Sequence, residues 1–363
     1  MHIPDGYLSP ATCTALYASS APFWYVALQR VKKTLHTRLV PLLSLFAAFS
    51  FVIMMFNLPL PGGTTGHAVG IGLAAVVLGP WAAMLAVSVA IVIQALFFGD
   101  GGITAIGANC FNMAVVGALV SYAIYRLLAG RSPILSFRRV VAAGLAGYAA
   151  INVSALFAAI EFGIQPLLYH DASGAPLYCP YPLSVAIPAM MLGHLTIAGI
   201  AELVVSAGVV AFLQKSDPSL LKATAGRGVL LAGPATRAGA RSLRPLWVGL
   251  GALMILTPLG ILAAGTAWGE WMASDFSNPA VRQQIAATSF QQAAPLHAPA
   301  GLERLSSAWT APFARYAPPY INNPAFGYLL SAMFGVGLVM LASLAVGRFI
   351  RAQGLTDSEE RAA

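Results

Sequence analysis

The chain has 363 residues, 58% of them hydrophobic and only 9% charged, with a formal net charge of +8 and a mean hydropathy of +0.76. Soluble domains carry about 25% charged residues, so this composition excludes a soluble globular protein and predicts an all-α integral membrane protein. Nor does the positive charge point to nucleic acid: 17 of the 20 Lys and Arg fall in four short patches between apolar runs, and no basic run is interleaved with base-stacking aromatics.

In chain order, apolar runs that approach the roughly 20 residues needed to cross a bilayer are predicted at 10–29, 39–57, 80–98, 103–127, 140–161, 183–213, 245–264 and 326–347. A further helix at 68–79 is too short to face lipid by itself. Residues 1–214 thus read as a seven-helix unit, 215–244 as a basic, Ala/Gly/Arg-rich cytoplasmic linker, and 245–349 as a two-helix module around an external loop, 265–325. Residues 350–363 form a cytoplasmic tail. The external loop is rich in Ala, Gln and Pro, so a water-facing surface is expected of it.

The basic patches set the orientation. Arg30, Lys32, Lys33 and Arg38 form the first, and Arg126, Arg131, Arg138 and Arg139 the second. The third holds Lys215, Lys222, Arg227, Arg237, Arg241 and Arg244, the fourth Arg348, Arg351 and Arg361. All four fall on one side if the N-terminus lies outside, which by the positive-inside rule places the C-terminus in the cytoplasm. Arg282, Arg304 and Arg315 remain in the external loop.

Cys13, Cys110 and Cys179 are an odd, scattered set with no CxxC spacing, so neither a disulfide framework nor a thiolate metal site is expected. Among the six histidines, His36 lies in a basic loop and His170 and His297 in external loops, where solvated surface residues are the default. His67 stands in PGGTTGHAVGIG, a glycine-rich turn before the short helix, and His2 follows the first Met. A free Met-His terminus offers the Met1 amine, the His2 amide and the His2 ring. Binding through Nδ1 closes a five- and a six-membered chelate ring on one ion, and His67 is the natural fourth donor. Tetragonal nitrogen ligation suits Ni(II) or Cu(II).

Four ordered motifs, MHIPDGYLSP, GGTTGHAVG, GDGGITAIGANCFNM and GHLTIAGIAE, resemble the CbiM/NikM family, the substrate-binding (S) components of cobalt and nickel energy-coupling factor transporters. The resemblance covers residues 1–214 and implies Met1, His2 and His67 as metal ligands. It also implies Ni2+ or Co2+ as cargo, no permanent cofactor, and two kinds of partner: a transmembrane coupling (T) protein and a pair of ATPase subunits. The setting it implies is a prokaryotic plasma membrane. TPLGILAAGTAWGEW, followed by an external loop and a last helix, resembles the PDGLE/CbiN accessory subunit, although the letters PDGLE are absent.

Around the expected site, Asp100 and Thr104 lie in GDGGIT, and Asn109 and Asn112, at i and i+3, share a helix face. They are expected to orient the N-terminal segment or a ligand ring, with polar glue between helices as the alternative. Asp5 reads equally as an anchor of that segment or as a surface turn residue. His194 and Glu202 are ionisable groups inside a predicted span. Glu202 is expected in its inner half, far from the metal, in packing or in coupling to a partner. The sequence has no GxxxxGK[ST] P-loop, so ATP hydrolysis is left to partners, and no HExxH to support a membrane metallohydrolase. A stand-alone channel or secondary carrier remains the competing reading.

Overall fold

The computed structural model describes residues 1–34, 39–61, 63–225 and 243–360, with Thr34 and 350–360 as backbone alone. His36, Arg38, Gly62, most of the basic linker (226–242) and the end of the tail (361–363) therefore lie outside the described residues.

The first nine residues form no helix. Met1, His2, Ile3, Tyr7 and Leu8 are buried, and the strap they make inserts into the bundle before helix α1 (Pro10–Thr34) begins. Ser9 caps α1, its hydroxyl accepting from the Thr12 amide at 3.1 Å. Proline at the first helical position costs nothing there, since its missing N–H has no helical partner anyway. Helix α2 (Leu39–Met54) leads to a hairpin of β1 (Leu58–Leu60) and β2 (Thr64–Gly66), antiparallel with Leu58 opposite Gly66. Gly70 (φ 76°) opens α3 (Ile71–Leu78), and Gly79 (φ 78°) closes it.

Longer helices follow: α4 (Pro80–Phe98), α5 (Ile106–Ala129), α6 (Phe137–Leu168), α7 (Leu183–Ser216) and α8 (Arg244–Leu262). Two short ones, α9 (Pro279–Thr288) and α10 (Ala300–Leu305), lie in the 265–325 segment before α11 (Pro324–Glu360). Six of these, α4 to α8 and α11, are long and apolar enough to cross a membrane. The expected spans α1 and α2 fall outside this set by length or composition. α2 has 16 residues, most of them buried. α1 has 25, but Thr, Ser and Gln recur through it and Pro22 interrupts it, so it falls short in apolar content.

Helix α3 sits at the centre, packed on α4, α5, α6 and α7. The crossing is close because small residues meet: a Cβ on Gly72 would stand 2.5 Å from the Gly147 Cα and 2.6 Å from the Ser206 Oγ. Residues 217–225, part of the stretch read as a linker, pack back onto this unit. The Thr224 hydroxyl donates to the Val76 carbonyl, and the buried Arg139 guanidinium donates to the Ala225 carbonyl at 3.1 Å. Leu195, Ile200 and Val204 of α7, Val248 and Ile255 of α8, and Met333 and Leu341 of α11 point outward, an apolar exterior suited to lipid.

The 265–325 segment departs most from expectation. Trp268, Trp271, Phe276, Ile285, Leu302 and Tyr316 are buried. Trp268 packs edge-on against Phe162, and both tryptophans lie against Tyr181. The Gly301 amide donates to the Leu177 carbonyl at 2.7 Å, the Phe313 amide to the Phe97 carbonyl at 3.0 Å, and the Trp309 indole to the Leu96 carbonyl at 2.8 Å. The segment is a lid clamped across the bundle end that receives the strap. Its polar average composition hides these few spaced anchors.

The Gly72 crossing predicts that Gly72→Ala destabilises by about 1–3 kcal/mol through overpacking. Gly208 has open space where a Cβ would go, so Gly208→Ala should leave stability unchanged or raise it by up to about 1 kcal/mol. Unfolding of both variants in detergent checks the pair.

Candidate metal centre

The strap is held at almost every step. The Asn109 amide group brackets Ile3, accepting from its N–H at 2.8 Å and donating to its carbonyl at 3.1 Å. The same carbonyl accepts from the Gly102 amide at 2.9 Å. Asp5 is an anchor: its carboxylate takes the Ile103 amide at 3.1 Å and the Thr104 amide at 2.8 Å, and the Thr104 hydroxyl besides. The Tyr7 hydroxyl donates to the Trp271 carbonyl at 2.9 Å, and the Ser9 amide to Gln165 Oε1 at 3.0 Å. Glycine is required at position 102, because a Cβ there would fall 2.2 Å from the Asp5 nitrogen.

This clamp brings three of the expected groups together. The Met1 amine is 3.2 Å from Glu270 Oε1. The His2 ring is fully buried, with its centroid 5.1 Å from that of His67 and the planes inclined by 31°. His2 Nδ1 pairs with Asp100 Oδ1 at 2.8 Å, while Nε2 has no hydrogen-bond partner among the described residues. A buried imidazole nitrogen without a partner is open to one that the described residues do not supply.

His67 is prepared differently. Its Nδ1 faces the Ala68 carbonyl at 3.0 Å. A carbonyl can only accept, so Nδ1 carries the proton and Nε2 presents a lone pair. Burial, then the neighbouring His2 and terminal amine, push its pKa down to about 3, which keeps the ring neutral as a metal ligand must be. Burial pushes the Asp100 carboxyl up, but the neighbouring His2 outweighs it and holds the group well below the usual carboxylate range. Its Oδ2 accepts from the Tyr316 hydroxyl of the lid at 2.6 Å, and Tyr316 in turn accepts from Gln94 at 3.0 Å. No group of three or more His, Cys, Asp or Glu side chains that could hold a metal occurs among the described residues; two of the expected donors are backbone nitrogens.

Two expected positions need correction. Asn112 does not face the strap: it donates to Glu161 Oε2 at 2.7 Å and ties α5 to α6. The reason is a π turn, Cys110–Val116, which starts just after Asn109 and unwinds the i, i+3 register that would have put both amides on one face. Glu202 is not remote from the site. Its carboxylate accepts from the amides of Val69 at 2.7 Å, Gly70 at 2.9 Å and Gly72 at 3.0 Å, so it holds the turn that carries His67. The turn before α3 folds in to meet it, which a linear hydropathy reading cannot register. His194 begins another π turn and donates from Nδ1 to the Met190 carbonyl at 2.7 Å. A third π turn, Gln94–Phe98, ends α4 beside Asp100. Such turns concentrate at functional sites.

Sequence reasoning missed Glu161, Glu270 and Tyr316. Glu161 is a buried carboxyl within a membrane-spanning helix, a signal that was available. Glu270 lies inside the quoted TAWGEW motif, but nothing local marks it. All three cysteines are free and buried.

Fold and geometry together define a multi-pass membrane protein that buries its own first residues inside the helix bundle. The chain belongs to the CbiM family: residues 2–220 match the cobalt uptake substrate-specific transmembrane region, and residues 244–352 match the PDGLE domain. It is similar to the fused nickel transport protein NikMN of Rhodobacter capsulatus, 58% identical over 340 residues that cover 94% of this chain and 95% of that one. The probable fused nickel transport protein LarMN of Lactiplantibacillus plantarum is 44% identical over 94% of this chain and 96% of its own. A crystal structure of a truncated transition metal transporter is 52% identical, with a TM-score of 0.55, over 59% of this chain and 99% of that one.

Glu202 yields a prediction. Glu202→Ala leaves three buried amides unpaired, and at about 1–3 kcal/mol for each it should destabilise by about 3 kcal/mol or more in detergent unfolding. Unchanged stability would mean that the His67 turn is held by other contacts.

Proposed function

We propose that the chain is the substrate-capture subunit of an ATP-driven importer of the energy-coupling factor type, taking Ni(II) or Co(II) from the outer face of a prokaryotic plasma membrane. One observation carries this reading: Met1, 4% exposed, brings the chain's amine beside two buried histidine rings 5.1 Å apart. Removing an amine from water is costly, and a purely structural strap would end at the surface. The Met1 amine, the His2 amide and His2 Nδ1 chelate the ion, and His67 Nε2 completes a four-nitrogen plane. In binding, His2 Nδ1 exchanges Asp100 for the ion, and the carboxylate remains beside the dication. The names of the relatives, nickel and transition metal transport proteins, support the choice of cargo, and planar nitrogen ligation favours nickel.

The chain acts as a transport subunit and not as an enzyme. Without a P-loop in its sequence, it depends on a transmembrane coupling protein and two ATPase subunits. Uptake in cells that lack those subunits would instead favour a stand-alone carrier. The basic patches support an N-terminus outside and a C-terminus in the cytoplasm.

Three measurements test this. Adding one residue before Met1 converts the amine to an amide and opens the first chelate ring, so metal content of the purified protein should collapse while the helices still insert. Full planar Ni(II) binding by the extended protein would refute the ligand set. His67→Ala should weaken binding strongly without unfolding the bundle, and affinity equal to the parent's would move the fourth donor elsewhere, His194 first. Because the native cysteines are buried, Ser306→Cys should react with an impermeant thiol reagent in intact cells; reaction only after permeabilisation would reverse the topology.

A further inference from the structure

We infer that Glu270, on the lid, is a positioning residue of the capture site: its carboxylate orients the Met1 amine so that the nitrogen lone pair faces His2 and His67. The inference rests on the amine being a ligand, as proposed above.

Glu270 is held in place from both sides. Gly269, with φ 81°, brings the chain so close to Phe162 that a Cβ there would meet the ring at 3.0 Å. The Glu270 amide closes a turn on the Ala267 carbonyl at 3.0 Å. Next along the chain, Trp271 is 5% exposed, and its carbonyl accepts the hydroxyl of Tyr7, itself part of the strap, at 2.9 Å. Strap and lid are therefore fastened one residue from the pair that Glu270 Oε1 makes with the amine at 3.2 Å. A carboxylate on so fixed a backbone can dictate the direction of the group it holds.

The chemistry lets it do so before and after loading. A terminal ammonium has three N–H bonds. On binding an ion it releases one proton to water and turns that electron pair to the metal, keeping two N–H bonds. One of these still reaches Glu270, and it is a better donor than the N–H of a free neutral amine because the ion draws charge from the nitrogen. Glu270 is thus neither a metal donor nor a competitor for the amine. It fixes rotation about the Met1 N–Cα bond, as partners of ligand groups do in metal sites generally. Without it the amine turns freely, and the five-membered ring closes less often and opens faster.

The test uses the full chain with its native N-terminus and a C-terminal tag, loaded with Ni(II) in detergent, as wild type, Glu270→Gln and Glu270→Ala. Release to excess chelator, equilibrium affinity, the visible absorption of planar Ni(II) and unfolding of the metal-free protein are measured together. Glu270→Ala should bind about 10–100-fold more weakly, mostly through faster release, with Glu270→Gln between it and the wild type because one acceptor oxygen remains. A merely structural carboxylate would lower the unfolding temperature of the metal-free protein and leave release unchanged; that result overturns the inference. If Glu270→Ala is not recovered folded, the isosteric Glu270→Gln decides, and release equal to wild type overturns it. A wild-type protein without the planar absorption overturns the ligand set and this inference with it. A planar absorption that survives Glu270→Ala with unchanged release overturns this inference alone.

Discussion

A chain end taken out of water governs the end of the bundle that receives it. The amine of Met1, the ring of His2 and the side chain of Ile3 are all buried, and each polar group that goes in with them must be answered. The Ile3 backbone is answered by Asn109 and Gly102, the Asp5 carboxylate by residues 103 and 104, and the amine by Glu270. The His2 ring is answered at Nδ1 by Asp100 and left open at Nε2. The strap is thus nearly saturated with hydrogen bonds except at the point where an ion would sit.

That saturation separates positioning from binding. Glu202 fixes the turn before α3, the Ala68 carbonyl fixes the His67 tautomer, and Tyr316 fixes Asp100. None of these needs to touch an ion for the site to have its shape. The two imidazoles and the amine then meet at short range because their supports are rigid. Glycines permit the close approach where it is needed: Gly102 lies under Asp5, and Gly72 lies at the crossing of α3 with α6 and α7.

Much of this was legible in the letters alone. The helices from 80 onward announce themselves by length and hydropathy, and Met-His at the start together with a histidine in a glycine-rich turn suggests a nitrogen chelate. The unread parts have a common cause, since they depend on distance in space between residues far apart in sequence. Glu202 meets Val69 across 133 positions, and Glu270 meets Met1 across 269. Asn112 was misassigned because α-helical spacing was applied across a π turn. The lid was read as plain surface because its six buried anchors are diluted in Ala, Gln and Pro.

The lid shares a polypeptide with the site it covers, and this changes the arithmetic of closure. Were lid and bundle separate proteins, the time spent closed would follow their abundance in the membrane. Tethered, the closing step is unimolecular, with an effective concentration that reaches the millimolar range when a linker spans its sites well. A lid contact with a dissociation constant near that value would then be closed about half the time. A tethered lid therefore stays closed with a weaker latch than a separate protein would need, and the fraction closed does not depend on how much of the chain the cell makes.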